Sequence, residues 1–154
     1  SGRRALPLRS SVRPSRRIPS RGRLHHTNLR RDALMVLFQS PRSHARACSI
    51  QRKAGDADIS EGLDTSALAG SAAELVRRMA YMDEELQSAI NSAAPHNFCA
   101  WLSALAVDYN RFYRDNYVIE EGVVNVQNLI ISELARDHLR RGCEAVGIIP
   151  IEEM

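Results

Sequence analysis

Charge is divided along this chain, and the division decides where a fold can form. Residues 1–53 carry thirteen Arg and one Lys against a single acid, Asp32, for a net of +13. Residues 54–154 carry seven Arg against seventeen Asp and Glu, for a net of −10. The formal total of +3 conceals two materials joined end to end. An Arg-, Ser- and Pro-rich segment buries too little apolar surface to offset the entropy of ordering its backbone. The chain therefore reads as a cationic tail joined to an acidic body. The basic part reads as an arm for polyanions.

Residues 1–31, "SGRRALPLRSSVRPSRRIPSRGRLHHTNLRR", contain no acid. Pro7, Pro14 and Pro19 interrupt any long helix there. Residues 1–42 are expected to be an extended Arg-rich arm and 43–154 a folded body. Arg3, Arg4, Arg9, Arg13, Arg16, Arg17, Arg21, Arg23, Arg30 and Arg31 are the candidate RNA ligands of the arm. Arg suits phosphate because its planar fork donates two parallel hydrogen bonds and stacks on bases. Each cation that meets a phosphate displaces condensed counterions. The other reading is that the arm lies along protein in a large assembly. The composition also matches an organelle transit peptide, which makes the mitochondrial matrix the expected location. The chain starts at Ser1 without an initiator Met, and an upstream segment is expected. "RDALMVLFQSP" (31–41) is a short apolar segment, either a helical turn or a docking strand.

Three cysteines, Cys48, Cys99 and Cys143, form no CxxC pair. A disulfide framework or zinc knuckle is not expected, and a reducing compartment is. His44 and Cys48 stand four apart, but two ligands do not make a metal site. No metal, cofactor or small-molecule substrate is expected. No apolar run approaches the roughly 20 residues that span a bilayer.

From Ser43 the pattern is helical. "SHARACSIQRKAG" has Ser43 as a candidate N-cap and Gly55 as a C-cap. Ala47, Ile50 and Ala54 share one face, with Arg46, Arg52 and Lys53 elsewhere. "DADISEGLDTSALAGS" (56–71) is a linker. Ser71 or Ser66 is expected to cap the next helix, whose stripe is Leu75, Val76, Met79 and Met82, continued by Leu86 and Ile90. Asp83, Glu84 and Glu85 suit a fresh helix N-terminus, so a break is expected near Tyr81. Pro95 opens the following helix. Its stripe is Phe98, Leu102, Leu105, Ala106, Tyr109 and Phe112. A last long helix is expected to bury Val126, Leu129, Ile130, Leu134, His138 and Cys143, ending at Gly147 before Pro150. Nothing reads as a run of strands. The expected fold is an all-α, antiparallel bundle of about four helices with an extended basic N-terminal arm.

Three blocks then resemble one family. "SHARACSIQRKAG" resembles the "YAHARICSILRKA" helix at the entrance to the C-terminal domain of arginyl-tRNA synthetases. "PHNFCAWLSALAVDYNRFYRDNYVI" resembles that family's Pro-His, Leu/Ala stripe and Phe-Asn-x-Phe-Tyr pattern. "NLIISELARDHLRRGCEAVGIIPIEEM" resembles its terminal helix with a Leu-Gly-Ile, Pro, acid-x-Met ending. Together they cover about residues 43–154. The domain they resemble is the all-helical DALR anticodon-binding domain, which in that family reads the anticodon arm of arginine tRNA. The resemblance implies RNA contacts at Tyr109, Arg111, Tyr113, Arg114, Tyr117 and Met154.

The departures are as informative. There is no HIGH-type or KMSK-type signature, so amino-acid activation is not expected. The approach to the first block is replaced by the Arg-rich arm, and the body is acidic. At helical spacing Phe98, Trp101, Leu105, Tyr109 and Phe112 read as core. Tyr113 and Tyr117 are the better candidates for exposure, where stacking on a base is worth roughly 1–3 kcal/mol. Arg111 and Arg114 meet either phosphates or Glu120 and Glu121. His96 and His138 read as locally hydrogen-bonded residues. These features predict a non-catalytic structural protein of a mitochondrial ribosome, bound to rRNA and neighbouring ribosomal proteins. The alternatives are a genuine tRNA anticodon-binding module or synthetase fragment, and an accessory subunit of another mitochondrial complex.

Overall fold

The computed structural model describes residues 25–152, with side chains at 36 and from 38 onward. Five helices and a hairpin follow in order: α1 (His25–Ala54), α2 (Gly70–Ala80), α3 (Met82–Asn91), α4 (Pro95–Asp115), β1 (Ile119–Glu120), β2 (Val123–Val124) and α5 (Val126–Ala145). α4 is the hub and packs on all four other helices; α1 also packs along α5. The all-α expectation holds. No described helix is long and apolar enough to cross a membrane.

α4 is central because its sequence is apolar on most of its circumference. Phe98, Trp101, Leu102, Leu105, Ala106, Tyr109 and Phe112 are all buried. Full burial of each large side chain contributes about 1.5–3 kcal/mol against exposure. Phe98 stacks on Trp101 at 5.3 Å between centroids, and Tyr109 leans on Phe112 at 6.2 Å. Pro95 occupies the first turn, where its missing N–H costs nothing.

The break at Tyr81 is complete, which is one reason there are five helices where about four were expected. Tyr81 closes α2 by donating its N–H to Arg78 O at 3.2 Å, and its carbonyl accepts from Glu85 N at 3.0 Å to start α3. Asp83, Glu84 and Glu85 fill the first turn of α3, where the helix dipole favours anions. The expected stripe slips at its end: Ala89 is buried, while Ile90 is 63% exposed. Neither Ser66 nor Ser71 caps α2. Ala69 is its N-cap residue, Ser71 is buried inside the helix, and Ser66 donates its N–H and hydroxyl to Asp64.

α1 departs most from expectation. It does not begin at a Ser43 cap but at His25, and it runs through Pro41. Residues 25–42 are therefore helical, not extended. An interior Pro costs about 3 kcal/mol. Apolar burial along the same helix offsets it: Val36, Ala45, Ala47, Cys48 and Ile50 are all buried. Gly55 ends the helix as expected, at φ +59, with its N–H on Gln51 O at 3.2 Å.

α5 is rotated by about one residue from its expected face. Ile131, Ser132, Ala135, Leu139, Gly142 and Cys143 are buried with Leu129 and Ile130. Leu134 is 39% exposed and His138 is half-buried, its Nδ1 bonded to Leu134 O at 2.7 Å. Gly142 lets α5 approach α4 closely: a Cβ there would stand 2.5 Å from Leu102 Cδ1. The hairpin was not foreseen. Glu120 pairs with Val123 across Glu121 and Gly122, whose φ angles of 49° and 82° are those a type I′ turn requires.

Candidate nucleic-acid interface

Where α4 leaves the core, its sequence changes from apolar to basic and aromatic. Phe112 is buried, and the next residue, rotated by a third of a turn, is Tyr113 at 42% exposure. Tyr117, just past the helix, is 66% exposed. Its carbonyl accepts from Asn128 Nδ2 at 2.8 Å, which ties the segment to α5. Asn116 caps α4 through Nδ2, bonded to Phe112 O at 3.0 Å and Ser71 Oγ at 2.9 Å.

Facing this end of α4 is the last third of α1. Between them lies a groove of about 510 Å³ lined by Arg46, Ser49, Ile50, Lys53, Tyr113, Arg114, Asn116, Tyr117, Val118 and Ile119. Its wall holds three cations and two tyrosines and no carboxylate. The Arg46 guanidinium lies over Tyr113, 5.1 Å from the ring centroid. On the far side of Tyr117 is a second cleft of about 770 Å³, with Asp115, Glu120, Glu121, Asn125 and Asn128 in its wall. Tyr117 thus stands on a ridge between a basic and an acidic surface.

The expected site residues separate. Tyr113, Arg114 and Tyr117 share the groove. Tyr109 does not: it is fully buried, with its hydroxyl 3.0 Å from Ser132 Oγ, and cannot stack on a base in this fold. Burial pushes its phenol well above the usual tyrosine range. Arg111 is exposed but turned to α2, pairing with Glu74 at 2.7 Å and Asp115 at 3.8 Å. Arg114 also meets Asp115, at 3.2 Å. Neither Arg is paired with Glu120 or Glu121. Such exposed pairs are worth about 0–1 kcal/mol, so a phosphate can displace them. Arg3, Arg4, Arg9, Arg13, Arg16, Arg17, Arg21, Arg23 and Met154 lie outside the described residues. Arg30 and Arg31 are on α1, but their side chains are not among those described.

On the α1 side, Arg46, Ser49 and Lys53 are groove residues that the sequence reading did not single out as site residues. The signal was present: they stand three and four apart on one helix, and so on one face. What the sequence lacked was the packing of α1 on α4. The chain's end also runs beside α1. Ile151 O bonds His44 Nδ1 at 2.8 Å, and Glu152 O accepts from Arg52 Nη1 at 3.1 Å. The His44 ring is thereby committed to the backbone, with Cys48 Sγ at 3.8 Å and its thiol pushed up by burial.

A helical domain with a groove of cations and exposed tyrosines at one end offers the two features, charge and aromatic faces, that single-strand binding draws on. The family described as the DALR anticodon binding domain matches residues 42–154, and the chain belongs to that family. It is 36% identical over 115 residues to the arginine–tRNA ligase of Archaeoglobus fulgidus, a match covering 73% of this chain and 21% of the ligase. It superposes on the arginyl-tRNA synthetase of Thermus thermophilus with a TM-score of 0.62 at 25% identity, over 75% of this chain and 20% of that one. A Campylobacter jejuni protein described as an arginyl-tRNA synthetase shares the fold, with a TM-score of 0.67 at 22% identity, over 77% of this chain and 26% of that one. The sequence thus spans about a fifth of the length of the curated relatives it matches, and the match falls on the DALR domain alone.

Proposed function

We propose that this domain binds RNA by holding a single-stranded tRNA loop of the anticodon type in the groove between α1 and the end of α4, and that it does not itself activate an amino acid. One observation carries the reading: Arg46, Lys53, Arg114, Tyr113 and Tyr117 converge on a groove with no carboxylate in its wall. Tyrosine faces are sequence-tolerant stacking platforms, and Lys53 and Arg114 follow the phosphate backbone. Tyr117→Ala is expected to weaken binding of arginine tRNA by roughly 5- to 150-fold, the equivalent of about 1–3 kcal/mol of stacking. Lys53→Gln is expected to lower the slope of log K against log salt by about 0.7. Unchanged affinity in both variants, measured by fluorescence anisotropy, sinks the reading. ATP–pyrophosphate exchange driven by arginine would overturn its non-catalytic part.

A second reading draws on the charge division. The +13 of residues 1–53 against the −10 of the remainder favours a structural protein of a mitochondrial ribosome, anchored in rRNA by its Arg-rich start and docked on neighbouring proteins by its body. Crosslinking the native protein and sequencing the attached RNA separates the two. tRNA joined to residues 113–117 supports the first, and rRNA joined to residues 1–31 supports the second. Recovery of no RNA overturns both.

A further inference from the structure

Arg46 has an environment unlike that of the other groove cations. It comes from α1, and it meets two α4 residues three apart, and so on one face: Asn110 and Tyr113. Its Nη1 donates to Asn110 Oδ1 at 2.5 Å, and its guanidinium carbon lies over the Tyr113 ring, 5.1 Å from the centroid. Among the described residues no carboxylate pairs with it, whereas Arg114 has Asp115 at 3.2 Å. Arg46 is half-buried and covers one face of the ring, and Tyr113 keeps 42% of its surface exposed. A guanidinium fixed at one nitrogen and held over a ring is poorly placed to turn outward toward a phosphate. It is well placed to hold that ring still.

We propose that Arg46 is a positioning residue: anchored by Asn110, it covers one face of Tyr113 and fixes the ring so that the opposite face serves as a platform for an RNA base. The proposal rests on the groove being an RNA surface. It adds that Arg46 acts through Tyr113 and not as a phosphate ligand, a task left to Lys53 and Arg114. Lys does not substitute for Arg here, because an ammonium lacks both the planar face and the fork.

The test uses the full chain and a fluorescein-labelled RNA stem-loop. Arg46→Lys and Asn110→Ala are each expected to weaken binding about three- to tenfold, in line with the strength of cation–π contacts. The salt slope is expected to stay at the wild-type value, and neither variant should weaken binding further in a Tyr113→Ala background. A slope reduced by about 0.7 in Arg46→Gln makes Arg46 a phosphate ligand and overturns the proposal. So does full additivity of Arg46→Lys with Tyr113→Ala. An RNA-free measurement stands beside these. The Arg46 Nε–H proton should be shifted upfield by the Tyr113 ring current in NMR spectra, and the shift should vanish in Tyr113→Ala and shrink in Asn110→Ala. Absence of that shift in the wild type removes the contact on which the proposal depends. Its presence in a chain that binds no stem-loop sinks the RNA reading instead, and the platform role with it.

Discussion

Tyr109 shows how far one residue's role depends on its surroundings. By resemblance it is an RNA contact, and by helical spacing it is core; the structure places it in the core, bonded to Ser132. Tyr109→Phe leaves the Ser132 hydroxyl buried without that partner. It is expected to lower stability by about 1–2 kcal/mol in urea denaturation while leaving RNA affinity unchanged. Burial also sets a pH limit. It raises the Tyr109 phenol above its ordinary value of 10.0 and the Cys143 thiol from 9.0 to about 11. In the unfolded chain both groups release their protons first, so the unfolded state binds fewer protons on the alkaline side. Stability is therefore fully present below about pH 9 and lost as pH rises, with Cys143 alone accounting for about 2–3 kcal/mol by pH 11. A fluorescence-monitored unfolding series across that range checks the sign. A midpoint that is flat from pH 9 to 11 contradicts it.

At the scale of elements, local rules succeeded where a break or an end is chemically expensive to avoid. Pro95 opening α4, Gly55 closing α1 and the acids starting α3 were all legible. They failed where burial outweighs a local preference. Pro41 sits inside α1 because apolar residues on both sides of it, Val36 before and Ala45, Ala47 and Ile50 after, are buried. The face of α5 was misplaced because its apolar residues are dense enough to suit two adjacent stripes, and only packing against Leu102 and its neighbours selects one. The hairpin was missed because its strands are two residues long and its turn opens with Glu, not Asn. Glu121 holds φ +49, a left-handed conformation costly for most side chains. Glu121→Asn is expected to raise stability by about 0.5–1 kcal/mol, read as an increase in the urea midpoint at constant m. A decrease would mean the carboxylate makes a contact that outweighs the backbone term.

For the whole molecule, the charge division has consequences that the fold does not cancel. The acids of the body are spread over the linker, the hairpin and helices α2 to α5, while the wall of the groove between α1 and the end of α4 holds none. Removing residues 1–24, with eight Arg and no acid, is expected to reduce the salt slope of RNA binding by several units of charge. The relative losses caused by Tyr117→Ala should persist in the shortened chain. If the slope is unchanged, those arginines do not meet RNA. If the Tyr117 effect disappears, the groove is not a site in its own right.

The sequence by itself determined the helical class, the α4 core stripe, the family and the exposure of Tyr113 and Tyr117. Those follow from periodicity, breaker residues and short-range motifs, which act within a few turns of chain. The tertiary structure decided which tyrosine is sealed, which face of α5 turns inward, and that Arg46 and Lys53 stand opposite Tyr113 and Tyr117. Arg46 and Tyr113 are 67 positions apart. Only the packing of two helices makes them neighbours, and no local preference encodes that contact.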